Sequence, residues 1–99
     1  MGSAVQINMA KMFLTIKIMP DSPDTDLNML REEAKNIAEG MDIELLDKDQ
    51  IEPVAFGLKS LKLMFYFDES KGSEELCEAL SNIESVSSAE SIDMRRAMG

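Results

Sequence analysis

Few residues in this chain can do covalent chemistry. Among its 99 residues there is no histidine and a single cysteine, Cys77. The commonest general base and metal ligand is therefore missing. One thiol builds neither a Cys-x-x-Cys metal or redox site nor an internal disulfide, which fits a reducing compartment. The adjacent carboxylates Glu32–Glu33 and Glu74–Glu75 fall on expected solvent faces of helices, where acids are ordinarily hydrated. No G-x-x-x-x-G-K-[ST] loop occurs, so the chain is not expected to hold a nucleotide, and no cofactor or metal is expected. What remains is recognition chemistry at two places. The first is "EPVAFGLKSL", residues 52–61, which sets the large ring of Phe56 between Pro53 and Gly57 with Lys59 just beyond. The second is the adjacent pair Arg95–Arg96 in an otherwise acidic chain.

The aromatic has two readings. Proline and glycine make turns, and a plain hairpin would use a short polar pair such as Asn-Gly. Phe56 either folds back to cap a core or is presented to a partner. The arginine pair is either a solvated tail or a contact. The formal net charge of −9 repels phosphate backbones, so direct nucleic-acid binding is not expected. The longest apolar runs are strand-sized, well short of the roughly 20 residues of a membrane helix, and residues 1–10 lack the charged and apolar regions of a secretory signal. Cytoplasmic localisation is the expectation.

The elements that would position these residues follow from periodicity. Residues 11–19, "KMFLTIKIM", alternate as a strand, with Leu14, Ile16 and Ile18 on one face and Phe13, Thr15 and Lys17 on the other. Pro20 and Pro23 end it, and Asp21, Asp24 and Asp26 serve as turn and cap residues, with Asp24 or Asp26 the helix N-cap. Leu27, Leu30, Ala34 and Ile37 form one stripe of an amphipathic helix, with Gly40 placed as the glycine beyond its C-terminus. Residues 42–47 give a short second strand, and between Pro53 and Gly57 the backbone is read as unable to form a regular ladder. The strongest strand is 58–67, with Leu61, Leu63, Phe65 and Phe67 facing one way and Lys62, Met64 and Tyr66 the other. Residues 68–73 form a loop ending in Ser73 as N-cap of a second helix, whose buried stripe is Leu76, Leu80 and Ile83, with Cys77 partly buried. Residues 86–94 are a serine-rich edge strand.

Strand, helix, strand, strand, helix, strand with right-handed crossovers gives an α+β, ferredoxin-like βαββαβ sandwich. The expected sheet is four-stranded and antiparallel with both helices on one face. Residues 1–10 are expected as a flexible N-terminal segment and 11–99 as one domain.

Three motifs together, "TIKIMPDSPDTDL" (15–27), "EPVAFGLKSL" (52–61) and "DMRRAM" (93–98), resemble the translation elongation factor 1-beta family in its short archaeal form. That resemblance covers residues 11–98. It implies a guanine-nucleotide exchange domain with the ferredoxin-like fold, acting on the GTPase elongation factor 1-alpha without covalent catalysis. By the same resemblance, the family's exposed aromatic falls on Phe56, flanked by Pro53, Gly57 and Lys59. Its C-terminal basic end, which approaches the Mg²⁺ and switch region of the GTPase, falls near Arg95 and Arg96. The chain departs from the family's eukaryotic members in one respect: the position of their metal-displacing lysine is occupied by Ala97. The alternative function is a regulatory or ligand-binding domain that self-associates through the uncovered sheet face, where Met64 and Tyr66 form an apolar patch. An acylphosphatase-like hydrolase is disfavoured because the phosphate-cradling loop is missing.

Overall fold

A computed structural model describes residues 11–68 and 73–97. The residues expected to form a flexible N-terminal segment, 1–10, lie outside this range, as do residues 69–72 of the expected loop. Five strands and two helices follow one another as β1 (Lys11–Pro20), α1 (Leu27–Gly40), β2 (Glu44–Leu45), β3 (Gln50–Pro53), β4 (Lys59–Asp68), α2 (Ser73–Ser81) and β5 (Val86–Arg96). A single 3-10 turn, Ala55–Gly57, separates β3 from β4. The sheet order is β2-β4-β1-β5, with β3 also paired to β4, and every pairing is antiparallel. This is the ferredoxin-like α+β architecture.

One periodicity builds the core. Leu14, Ile16 and Ile18 of β1 and Leu61, Leu63, Phe65 and Phe67 of β4 are buried and join Leu30, Ala34 and Ala38 of α1 and Leu76 and Leu80 of α2 in a single cluster. The alternate residues Phe13, Thr15, Lys17, Lys62, Met64 and Tyr66 are half-buried on the uncovered face. Burying a leucine or phenylalanine in such a core stabilises the fold by about 1.5–3 kcal/mol, so the pattern fixes which face the helices cover.

The structure changes four expectations. The expected second strand is two short ones along one edge of β4. Residues Glu44 and Leu45 pair with Tyr66 and Phe65. Residues Gln50–Pro53 pair with Lys62, Leu61, Ser60 and Lys59, a strand the sequence reading did not assign, and the ladder ends at Pro53 as expected. Between them the chain turns away from the edge, and Arg31 of α1 holds it there: its guanidinium lies 3.0 Å from Asp47 and 3.5 Å from Asp49. Secondly, Gly40 is the last helical residue, and the left-handed conformation beyond the helix belongs to Asp42, at φ 64°. The chain does not need a glycine there, because Met41 N–H already donates to Ile37 and Ala38 and Ile43 N–H to Ala38, closing the last turn. Thirdly, β5 runs through Arg96 rather than stopping near Met94, so the arginines are strand residues. Finally, in α2, Ser73 is the first helical residue rather than its N-cap, and Ile83 lies two residues beyond the helix end and is half-buried, so the buried stripe is Leu76 and Leu80. Asp26 caps α1 by accepting from Asn28 and Met29 N–H at 3.0 and 3.4 Å, a contact worth about 1 kcal/mol.

Candidate partner-binding surface

Four of the sequence-predicted residues come together at the end of the sheet where β3 turns into β4. Pro53 is the last residue of β3 and pairs with Lys59, the first of β4. As an edge-strand proline it removes a donor only from the ladder's margin. The loop between them is closed by Val54 N–H donating to Leu58 O at 2.8 Å and Leu58 N–H to Ala55 O at 3.2 Å. Beneath it, the buried Ser60 hydroxyl donates to the Glu52 carbonyl, tying the short edge strand to β4 next to the turn.

Phe56 sits at the tip in a left-handed conformation, φ 63° and ψ 30°. Its side chain belongs to no core, and the residue is 93% exposed. Gly57 follows at φ 77°, a value that favours glycine. A Cβ on Gly57 would lie 4.0 Å from Pro23 Cβ, so the loop lies beside the β1–α1 connection. Between Pro20, Pro23, Leu27, Ile51 and Lys59 opens a pocket of about 280 Å³.

Arg95 and Arg96 are elsewhere. Arg95 pairs across the ladder with Phe13, and Arg96 with Met12. Phe13 in turn pairs with Tyr66 of β4, seven residues along from Lys59. At roughly 3.3 Å per strand residue, the arginines lie about 23 Å along the sheet from the start of β4. The ladder continues to Ala97, whose N–H donates to Lys11 O at 2.7 Å. Pairing alternation puts Arg95 with Phe13 on the uncovered face and Arg96 on the helix side. Arg95 is exposed and forms an ion pair with Asp93 at 2.9 Å. Between Thr15 and Ile16 the register shifts, making Ile92 an extra residue that lines the same groove as Phe13, Met64, Lys62 and Arg95.

Residue chemistry elsewhere is plain. Phe13 and Tyr66 rings lie 5.2 Å apart, with Lys11 Nζ 5.7 Å from the Tyr66 ring centre. Met64 and Tyr66 are half-buried rather than an open patch. Burial, joined by the nearby Glu74 charge, pushes the Cys77 thiol above its ordinary 9.0 against a backbone hydrogen bond with Ser91 that lowers it. Among the described residues no group of three or more acidic or cysteine side chains is placed to hold a metal, and no helix is long and apolar enough to cross a membrane. Two contributors escaped sequence reasoning. Ile51 is half-exposed beside the Phe56 loop, and its place in a strand-like alternation with Glu52 was the available signal. The Arg31 clamp on Asp47 and Asp49 joins residues too distant in sequence to be foreseen.

Fold and surface define a class first: a ferredoxin-like α+β sandwich that presents an unburied aromatic at one end of its sheet and a cationic strand end at the other. Compared with known proteins, residues 13–97 match the EF-1 guanine nucleotide exchange domain family, and the chain belongs to that family. It is 42% identical over 92 residues to an elongation factor 1-beta of Methanothermobacter thermautotrophicus, covering 91% of this chain and all of the relative. The elongation factor 1-beta of Methanobrevibacter smithii is 39% identical over 92 residues, again 91% of this chain and all of the relative. That of Staphylothermus marinus is 39% identical over 85 residues, 83% of this chain and 91% of the relative.

Proposed function

We propose that this chain is a guanine-nucleotide exchange factor for the translation GTPase elongation factor 1-alpha, promoting GDP release and GTP reloading in the cytoplasm without covalent chemistry. The observation that carries the reading is the family match over residues 13–97, with Phe56 fully presented within it.

The task is one of linkage. A factor that binds the nucleotide-free GTPase more tightly than the GDP-bound form weakens GDP affinity by the same ratio. GDP is held mainly at its phosphates, by backbone amides, a lysine and Mg²⁺, so contacts that distort that region or displace the metal's charge loosen it. In this reading Phe56 is the anchor: a rigid aromatic desolvated by a partner is the typical source of binding energy at an interface. Pro53, Gly57 and Lys59 fix and flank it. Arg95 and Arg96 supply positive charge about 23 Å along the sheet from Lys59, a separation that requires a domain-sized partner able to reach both ends. Arginine brings a planar, permanently charged fork rather than a lysine's point charge, so the cationic end here differs in kind from one that ends in lysine.

Mixing the chain with elongation factor 1-alpha loaded with a fluorescent GDP tests this. GDP release accelerates by orders of magnitude if the reading is right; a release rate unchanged at saturating chain, with the cognate GTPase, rejects it.

A further inference from the structure

Large apolar side chains left exposed among the described residues are Met29, Ile51, Phe56, Ile92 and Met94. The last two lie on β5 with the arginines. The first three belong to elements at the opposite end, the first turn of α1, β3 and the loop after β3. Ile51 and Asn28 line one pocket with Pro23, whose Cβ is beside Gly57. Met29 follows directly in α1 and shares the Asp26–Thr25 shoulder of that pocket. Phe56 does not itself line this pocket, but the loop that carries it runs beside the pocket's wall at Pro23.

The geometry points to a two-part docking end, in which Phe56 is the knob and the Pro20–Pro23–Leu27–Ile51 pocket is a socket for an apolar side chain of the same GTPase. This rests on the exchange reading above and adds where else the partner holds on. Three observations favour a protein side chain as the occupant. Its volume of about 280 Å³ accommodates one large side chain and is at the small end for an organic ligand. Ile51 projects from β3 on the helix side, opposite Leu61 in the ladder, yet is 51% exposed. An isoleucine that faces the core side without being covered by a helix has apolar area left for another surface. The rim is also electrostatically selective. Asp26 spends its carboxylate capping α1, while Lys59 is exposed and makes no ion pair among the described residues. In a chain of net charge −9, that leaves a local cation at the mouth of the socket. The fitting partner element is an apolar side chain with a carboxylate or a backbone carbonyl next to it.

The pocket is lined by the end of β1, the β1–α1 loop, the first turn of α1, β3 and the start of β4; Pro20 and Leu27 also pack toward the core, whereas Ile51 and Lys59 are exposed and open to substitution. Ile51→Ala and Ile51→Lys should raise the chain concentration giving half-maximal GDP release by about tenfold or more, leaving the rate at saturation within about twofold, because the socket holds the partner and does not touch its nucleotide. Lys59→Glu should act in the same direction, and more strongly at low salt. A measurement without mutation accompanies these. In the unaltered chain, the Ile51 methyl NMR resonance should shift or broaden when nucleotide-free GTPase is added, while that of Ile16, wholly buried at the centre of the sheet, stays in place. If the unaltered chain accelerates GDP release but its Ile51 methyl does not respond, or if both Ile51 variants half-saturate at the unaltered concentration, the socket is wrong and the exchange reading stands. If the unaltered chain gives no acceleration, the exchange reading fails and the socket with it.

Discussion

At Phe56 the fold carries two penalties that nothing within the described chain offsets. A bulky residue in the left-handed region costs roughly 1–2 kcal/mol relative to the right-handed one, and φ 63° places this ring there. Its apolar surface also stays in water. Asparagine tolerates the same backbone conformation more readily, and no core contact is lost by removing the ring. Phe56→Asn is therefore expected to stabilise the chain by about 0.5–1 kcal/mol in urea unfolding. In the same protein the concentration needed for half-maximal GDP release should rise roughly thirtyfold, the equivalent of about 2 kcal/mol for a lost aromatic anchor. A gain of stability with a loss of exchange is the signature of a side chain kept for a partner; a loss of both would make the ring a structural cap. Of the two roles the sequence left open for this ring, only its exposure decides, and exposure is a property of what the loop packs against. Pro53 and Gly57 announced a turn by their chemistry, but nothing local says whether a turn's tip faces in or out. Cys77 makes a second residue-level prediction. Burial holds its thiol pKa above 9.0, the value in an exposed chain. Above that pH the unfolded chain loses a proton that the folded one keeps, so the contribution to stability is whole below pH 9 and falls as pH rises through the folded value. Between pH 8 and pH 10 the urea midpoint of the unaltered chain should drop further than that of Cys77→Ala, and equal drops would count against a shifted thiol.

Among the elements, β5 is the one whose role changes most. Read along the chain, 86–94 is a serine-rich edge strand followed by a charged tail. Its outward residues are indeed exposed along most of its length, so side-chain burial gives little sign of a strand there. What extends it is backbone pairing to β1: Met94, Arg95 and Arg96 are held opposite Leu14, Phe13 and Met12. Hydrogen bonds between main chains leave almost no mark in sequence, whereas the packing that forms β1, β4 and α1 leaves an alternation or a stripe. The break between β2 and β3 was illegible for another reason: the side-chain ion pairs of Arg31 with Asp47 and Asp49 that accompany it join residues far apart in sequence. The ladder's final bond tests the element directly. Ala97 N–H donates to Lys11 O at 2.7 Å, and proline at 97 has no hydrogen to give and restricts the residue before it. Ala97→Pro should fray the strand around Arg96, visible as faster amide hydrogen exchange at 94–96, while costing the global fold no more than about 1 kcal/mol because the core lies elsewhere. GDP release should slow as the cations lose their fixed place. Unchanged release with a frayed strand would show that exchange does not need the arginines held in the ladder.

Across the whole molecule, the sheet acts as a ruler. β1 and β4 are paired from Lys11–Asp68 to Ile18–Leu61, and β5 is paired alongside β1 over nearly the same span. Their buried faces share one core, so the Phe56 loop and the Arg95 row are fixed relative to each other and cannot approach without breaking that core. Close-packed interiors deform little, which makes the separation of the two contacts, at least the roughly 23 Å from Lys59 to the Arg95 row, a property of the fold. If both ends touch one GTPase, they do so independently: they share no side-chain partner and lie well beyond the 7–10 Å or so within which substitutions couple. Arg95 is at an exposed position, where loss of a charged contact costs around 1 kcal/mol, about fivefold. Combined with the roughly thirtyfold effect of Phe56→Asn, the Phe56→Asn, Arg95→Ala double variant should require about 150-fold more chain for half-maximal GDP release, the product of the single effects. A double variant no worse than Phe56→Asn alone would mean that Arg95 contributes only once the Phe56 end is docked, so that the partner is gripped in sequence rather than at both ends together. Raising the salt concentration separates the two ends further. The arginine effect should shrink as charges are screened over about 8–10 Å at ordinary ionic strength, while the aromatic effect, which comes from removing apolar surface from water, should persist or grow slightly.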